Sequence, residues 1–216
     1  MSQINKKEIY YGSLLEWGMP SSVNPESIQY QSISEWILKG QEVALSKGIQ
    51  VMVSHDFHVL PHHIDMVFKA YMNLAYEGKL AIEVIEFPEF PTYDALESFL
   101  MDGHSTGEEL GYFQIGPLYL SEKTLNEEIG SYMDLANRYN MPVLVEIQDE
   151  KRIEKILAIL KEHVYPGNPL GLAILSNLLN SKQLKQLEEI GGKIFSMDDP
   201  LKAFPLLSSF LENNDE

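Results

Sequence analysis

Short apolar runs alternate with longer segments of helical period along almost the whole chain, and no other feature narrows its fold as much. Residues 80–87 (LAIEVIEF), 143–147 (VLVEI), 170–175 (LGLAIL) and 193–197 (KIFSM) are strand-sized and rich in branched aliphatic side chains. Between them, apolar residues recur at intervals of three and four. Ile153, Ile156, Leu157 and Leu160 mark one face of a helix over 149–163. Thr92 is placed to cap a short helix over 91–100. A long helix spans 121–140, capped by Ser121 or Thr124 and stopped at Asn140-Met141-Pro142. Another covers 181–190 and closes at Gly191-Gly192. Pro200 suits the first turn of a last helix that ends near Leu211.

The first half repeats the theme. Residues 8–17 read as a strand, 20–31 as a polar loop, and 32–46 as a helix closed by Gly48. A strand over 49–53 and a helix over 64–76 follow. Residues 111–120 read as one strand interrupted by Gly116-Pro117, which brings the total to seven strands and seven helices. Nearly continuous apolar strands, each followed by a helix, predict an α/β fold of βα units around a parallel sheet covered on both faces. Alternation from end to end favours a small, barrel-like (β/α) arrangement of seven to eight units over an open doubly wound sheet. The length of 216 residues suits a single domain over 1–216, with a polar tail at 213–216.

Composition removes whole classes of function. Without cysteine there are no disulfides, iron–sulfur clusters, thiolate zinc sites or cysteine nucleophiles. The net charge is −16, and no basic cluster exceeds Lys6-Lys7, so nucleic acid is not an expected partner. Residues 1–11 lack the apolar centre of a signal peptide, and no apolar stretch reaches the roughly 18–20 residues that span a bilayer. A cytoplasmic protein without membrane contact is expected. No G-x-G-x-x-G, P-loop or G-x-S-x-G motif occurs, so no nucleotide cofactor is expected either.

One segment carries chemistry. His55, His58, His62 and His63 are four of the six histidines and fall within nine residues. They follow the strand over 49–53, and the C-terminal ends of parallel strands are where α/β proteins bind ligands. Carboxylates inside the apolar strands add to the pattern. Glu83 and Glu146 are costly to bury unless paired or ligating a metal. Glu86 follows Glu83 by three residues and is read as facing outward. The expected site is a divalent metal (zinc, iron, nickel or manganese) held by His55, His58, Glu83 and Glu146, with Asp198 an alternative oxygen ligand. Asp56 or His62 would serve as general base. The implied reaction is metal-dependent hydrolysis of a small-molecule amide, ester or phosphodiester, or an isomerisation. The same residues also fit strand-end hydrogen bonds and helix caps. A non-enzymatic reading remains beside this one: an acidic immunity or accessory factor that recognises a basic protein partner.

His55-Asp56 after a strand, with Glu146-Ile147 later, resembles the strand-end His-Asp and the Glu-Ile-Lys of glycerophosphodiester phosphodiesterases. Gln148 stands where that family has lysine, and the family's N-terminal His-Arg-Gly is missing. These short segments identify no family.

Overall fold

The computed structural model describes residues 9–24, 27–121, 129–163 and 172–196. Its strands and helices alternate and its strands run mainly parallel in two sheets, as the α/β reading requires. The chain divides into two compact units: residues 1–88 with 108–115, and residues 89–107 with 116–216.

The first unit opens with β1 (Ile9–Gly12) and α1 (Leu14–Gly18). Here the expected single strand over 8–17 is corrected. Ser13 adopts an extended conformation and accepts the Glu16 N–H at 2.9 Å, so it caps a helix whose first residues are Leu14 and Leu15. α2 (Tyr30–Ser46) buries Ile33, Trp36, Ile37, Gly40, Gln41 and Ala44 on one stripe. It crosses α1 so closely that a Cβ on Gly40 would run into the Leu14 carbonyl, and one on Gly18 into the Trp36 carbonyl. β2 (Val51–Ser54) is buried throughout and leads through α3 (Asp56–Val59) into α4 (Ile64–Tyr76). β3 (Glu83–Glu86) follows. A hairpin then pairs β4 (Glu109–Leu110) with β5 (Phe113–Ile115), turning at Gly111 with φ of 57°.

The sheet order is β1-β2-β3-β5-β4, parallel except for β4. Phe113 on β5 stacks on Tyr71 of α4 with ring centroids 4.7 Å apart, and this pair anchors α4 to the sheet. The expected strand over 111–120 is therefore two strands. β5 ends at Ile115 in the first unit, and β6 (Leu118–Leu120) begins beyond Gly116-Pro117 in the second.

In the second unit Thr92 caps α5 (Tyr93–Met101) by accepting the Ala95 N–H at 3.2 Å, as expected. The sheet β6-β7-β8-β9 is wholly parallel. It contains β7 (Val143–Glu146), β8 (Leu172–Leu175) and β9 (Lys193–Phe195). α6 (Ile129–Arg138), α7 (Ile153–His163) and α8 (Ser181–Glu189) link these strands. A full capping box between Asn180 and Gln183 starts α8. Thr124, Asp198 and the helix expected after Pro200 lie outside the described residues. Among the described residues no helix is long and apolar enough to cross a membrane.

Candidate functional site

Parallel register sets Gly12, Ser54, Glu86 and Ile115 side by side at the C-terminal ends of β1, β2, β3 and β5. Glu86 follows Val84 at the two-residue strand period, on the face opposite Glu83 and Ile85. It is fully buried, as are Ser13, Ser54 and Asp56. Glu86 thus points inward, which corrects the outward orientation read from the sequence. The strand alternates apolar and acidic residues ambiguously, and only pairing with Ser54 and the arrival of α3 reveal which acid is enclosed.

The Glu86 carboxyl takes the two N–H groups that open α3. Oε2 accepts from Asp56 N at 3.1 Å and Oε1 from Phe57 N at 2.8 Å. It acts as a cap supplied from a neighbouring strand. Asp56 is equally engaged. Its Oδ1 accepts from the Ser13 hydroxyl and from Leu15 N (3.3 Å), and its Oδ2 from the Tyr71 phenol. The Ser54 hydroxyl in turn accepts from Asp56 N at 3.2 Å. One buried cluster therefore ties together the starts of α1 and α3, the ends of β2 and β3, and the middle of α4.

Two carboxyls in so dry a place do not ionise freely. Burial, then the neighbouring Asp56 charge, pushes Glu86 up to about 8, so it carries its proton at neutral pH. Burial also raises Asp56, although hydrogen bonds from Ser13 and Tyr71 favour its charged form. Burial, followed by the charges of Asp56 and Glu86, pushes the Tyr71 phenol well above its ordinary range, so it remains a donor.

His55 lies at the edge of this cluster, between Ser54 and Asp56. Its backbone N–H reaches Gly12 O at 3.3 Å, and its ring stacks on Tyr11 at 5.4 Å between centroids. The residue is half-buried, yet its Nδ1 is buried with no hydrogen-bond partner. Among the described residues only Gln186 Oε1 shares that condition. Such atoms are rare and call for an explanation.

The other expected residues are dispersed. His58 lies on α3, three positions beyond His55. His62 is exposed in the turn after α3, and His63 is the N-cap residue of α4. Glu83 begins β3 and pairs with Val51 rather than with the strand end. At about 3.3 Å per residue it lies roughly 10 Å along the strand from Glu86, away from His55. Glu146 ends β7 in the second unit, where it is half-exposed and accepts from the Tyr119 phenol and from Gln148 Nε2 at 2.6 Å. Among the described residues no three His, Asp or Glu side chains gather as a metal-ligating set. The residues fit a metal only in part. His55 offers one orphaned nitrogen, while Asp56 and Glu86 already spend their oxygens on internal donors.

Ser13, Ser54 and Tyr71 are not among the residues expected at the site, and Glu86 is expected there only as an outward-facing acid. The Ser13-x-x-Glu16 spacing was a legible cap signal. Tyr71 carried no signal, because it falls on the same helical stripe as Phe68 and Leu74.

No protein-family model matches the chain, and no curated protein does. Solved structures do. An uncharacterized metal-dependent hydrolase from Pyrococcus horikoshii OT3 is similar over 77% of this chain, with TM-score 0.57 and 15% identity. An uncharacterized metal-dependent hydrolase from Pyrococcus furiosus is similar over 78%, with TM-score 0.57 and 17% identity. This chain spans only 37% and 38% of those two chains. At such identity the likeness shows the α/β fold.

Proposed function

We propose that the chain carries a hydrolase working face at the C-terminal ends of β1, β2 and β3, with His55 meeting the substrate or a divalent metal ion. The orphaned Nδ1 of His55 carries this reading. Leaving a buried polar atom unpaired costs on the order of 1–3 kcal/mol, and a ligand at that nitrogen removes the cost. The names of the two similar structures favour the metal-dependent form of hydrolysis. A divalent ion would supply Lewis acidity and an activated water.

The chain's own residues divide the remaining work. His55 binds. His58, at i+3 on the same side of the turn, is the second nitrogen donor to test. Asp56 and Glu86 are enclosed and serve as positioning residues, because they fix the backbone on the C-terminal side of His55. Glu83, paired with Val51 at the start of β3, is the least favoured of the expected ligands. His62 is a candidate base on the exposed turn.

The experiment is metal content of the purified protein by elemental mass spectrometry, with a hydrolase panel of generic amides, esters and phosphodiesters. Near-stoichiometric zinc, iron, nickel or manganese, lost in His55→Ala and His58→Ala, supports the reading. A metal-free wild type that takes up none and hydrolyses nothing ends it, and turns attention to a basic protein partner.

A further inference from the structure

The second unit contains a polar cleft of about 380 Å³, lined by Tyr93 and Asp94 of α5 and by Ser131, Asp134 and Arg138 of α6. That volume lies within the range of small-molecule sites. Two of its walls bear opposite charge. Asp94 lies in the first turn of α5 and Arg138 in the last turn of α6, positions that the helix ends favour. What the helix ends leave unexplained is that these charges share one cleft without meeting. Among the described residues, neither forms an ion pair or hydrogen bond, and Ser131 also has no hydrogen-bond partner.

The remaining acid is held from behind. His163 Nδ1 lies 2.8 Å from Asp134 Oδ1, and Asn137 Nδ2 donates to the His163 carbonyl at 2.6 Å. The imidazole rests on Gly130, where a Cβ would collide with the ring. Asp134 is thereby oriented. Tyr93 donates to Glu97 at 3.4 Å, which leaves Arg138, Asp94, Ser131 and the second carboxylate oxygen of Asp134 as the groups open to a ligand.

We propose that this cleft binds a small zwitterion, an α-amino carboxylate, with its carboxylate on Arg138 and its ammonium on Asp94. A guanidinium matches a carboxylate in bidentate fashion. A ligand bearing both charges bridges two walls that do not reach each other, which a simple anion or cation cannot do. The site is independent of His55 and of the hydrolase reading.

The test is a ¹⁵N-edited NMR titration of the full chain with L-alanine, and with acetate and ethylammonium as half-ligands. Saturable shifts at Arg138 Nε and around Asp94 are expected with L-alanine. Each half-ligand should bind about tenfold or more weakly, since each loses one charged contact. Arg138→Gln and Asp94→Asn each weaken L-alanine by a similar factor, and because both positions are exposed the variants fold. His55→Ala leaves the titration unchanged. No saturable shift with L-alanine, equal binding of acetate, or full binding by Arg138→Gln overturns the proposal.

Discussion

Each unit ends a parallel sheet with acidic side chains, and the two ends treat them differently. In the first unit Asp56 and Glu86 are wholly enclosed, and their oxygens accept from Ser13, Tyr71 and the peptide N–H groups of Leu15, Asp56 and Phe57. In the second, Glu146 is half-exposed and takes its two donors from side chains, Tyr119 and Gln148. Depth decides the role. An enclosed carboxyl with backbone donors holds elements together, and removing it strands several donors at once. A half-exposed one can exchange its donors for water or a ligand.

The contrast breaks most sharply under truncation. Asp56→Ala leaves the Ser13 hydroxyl, Leu15 N–H and Tyr71 phenol without their acceptor, and should cost about 3–5 kcal/mol in chemical denaturation. Glu146→Ala should cost under about 1 kcal/mol, because water can replace the lost acceptor. Equal losses would show that depth is not what separates the two ends.

Packing offers the same comparison at smaller scale. A methyl at Gly40 meets the Leu14 backbone, whereas one at Gly192 meets the movable end of the Leu187 side chain. Gly40→Ala should therefore destabilise by roughly 1–3 kcal/mol and Gly192→Ala by less, as read from their melting temperatures.

Proton linkage sharpens it further. Glu86 has a higher pKa folded, about 8, than its ordinary value of 4.5. The folded state binds the proton more tightly, so this stability is complete below about pH 4.5 and fades as pH rises toward 8. Unfolding free energies measured across that window should fall by a few kcal/mol in wild type. They should fall less steeply in Glu86→Gln, with the remaining slope coming from Asp56, whose pKa burial also raises. A slope left unchanged by the substitution would assign the titration to another group.

The smallest expected effect is Tyr119→Phe, which removes one phenol from a half-exposed carboxylate and should shift stability by about 0.5–1 kcal/mol.

Some of this was legible in one dimension. Thr92 as a cap, helix Ile64–Tyr76 and strand Val143–Glu146 rest on interactions within a few residues, so local pattern reveals them. The histidine segment was likewise recognisable as the end of a strand. Residues 13–17 read as strand because Leu14 and Leu15 prolong an apolar run, while the cap at Ser13 is a local hydrogen bond that periodicity does not register.

The sequence by itself determined the α/β alternation and brought His55 to a strand end, because hydrophobic period and turn residues are local properties. Only the tertiary structure decided that Glu86, not Glu83, is enclosed, and that Asp56 is a clamp rather than an accessible base. It also decided that Arg138 shares a cleft with Asp94. These outcomes depend on register and on helices separated by 30 or more positions, as between Asp56 and Glu86. Burial, which sets the energy of a charge, is a property of such long-range neighbours.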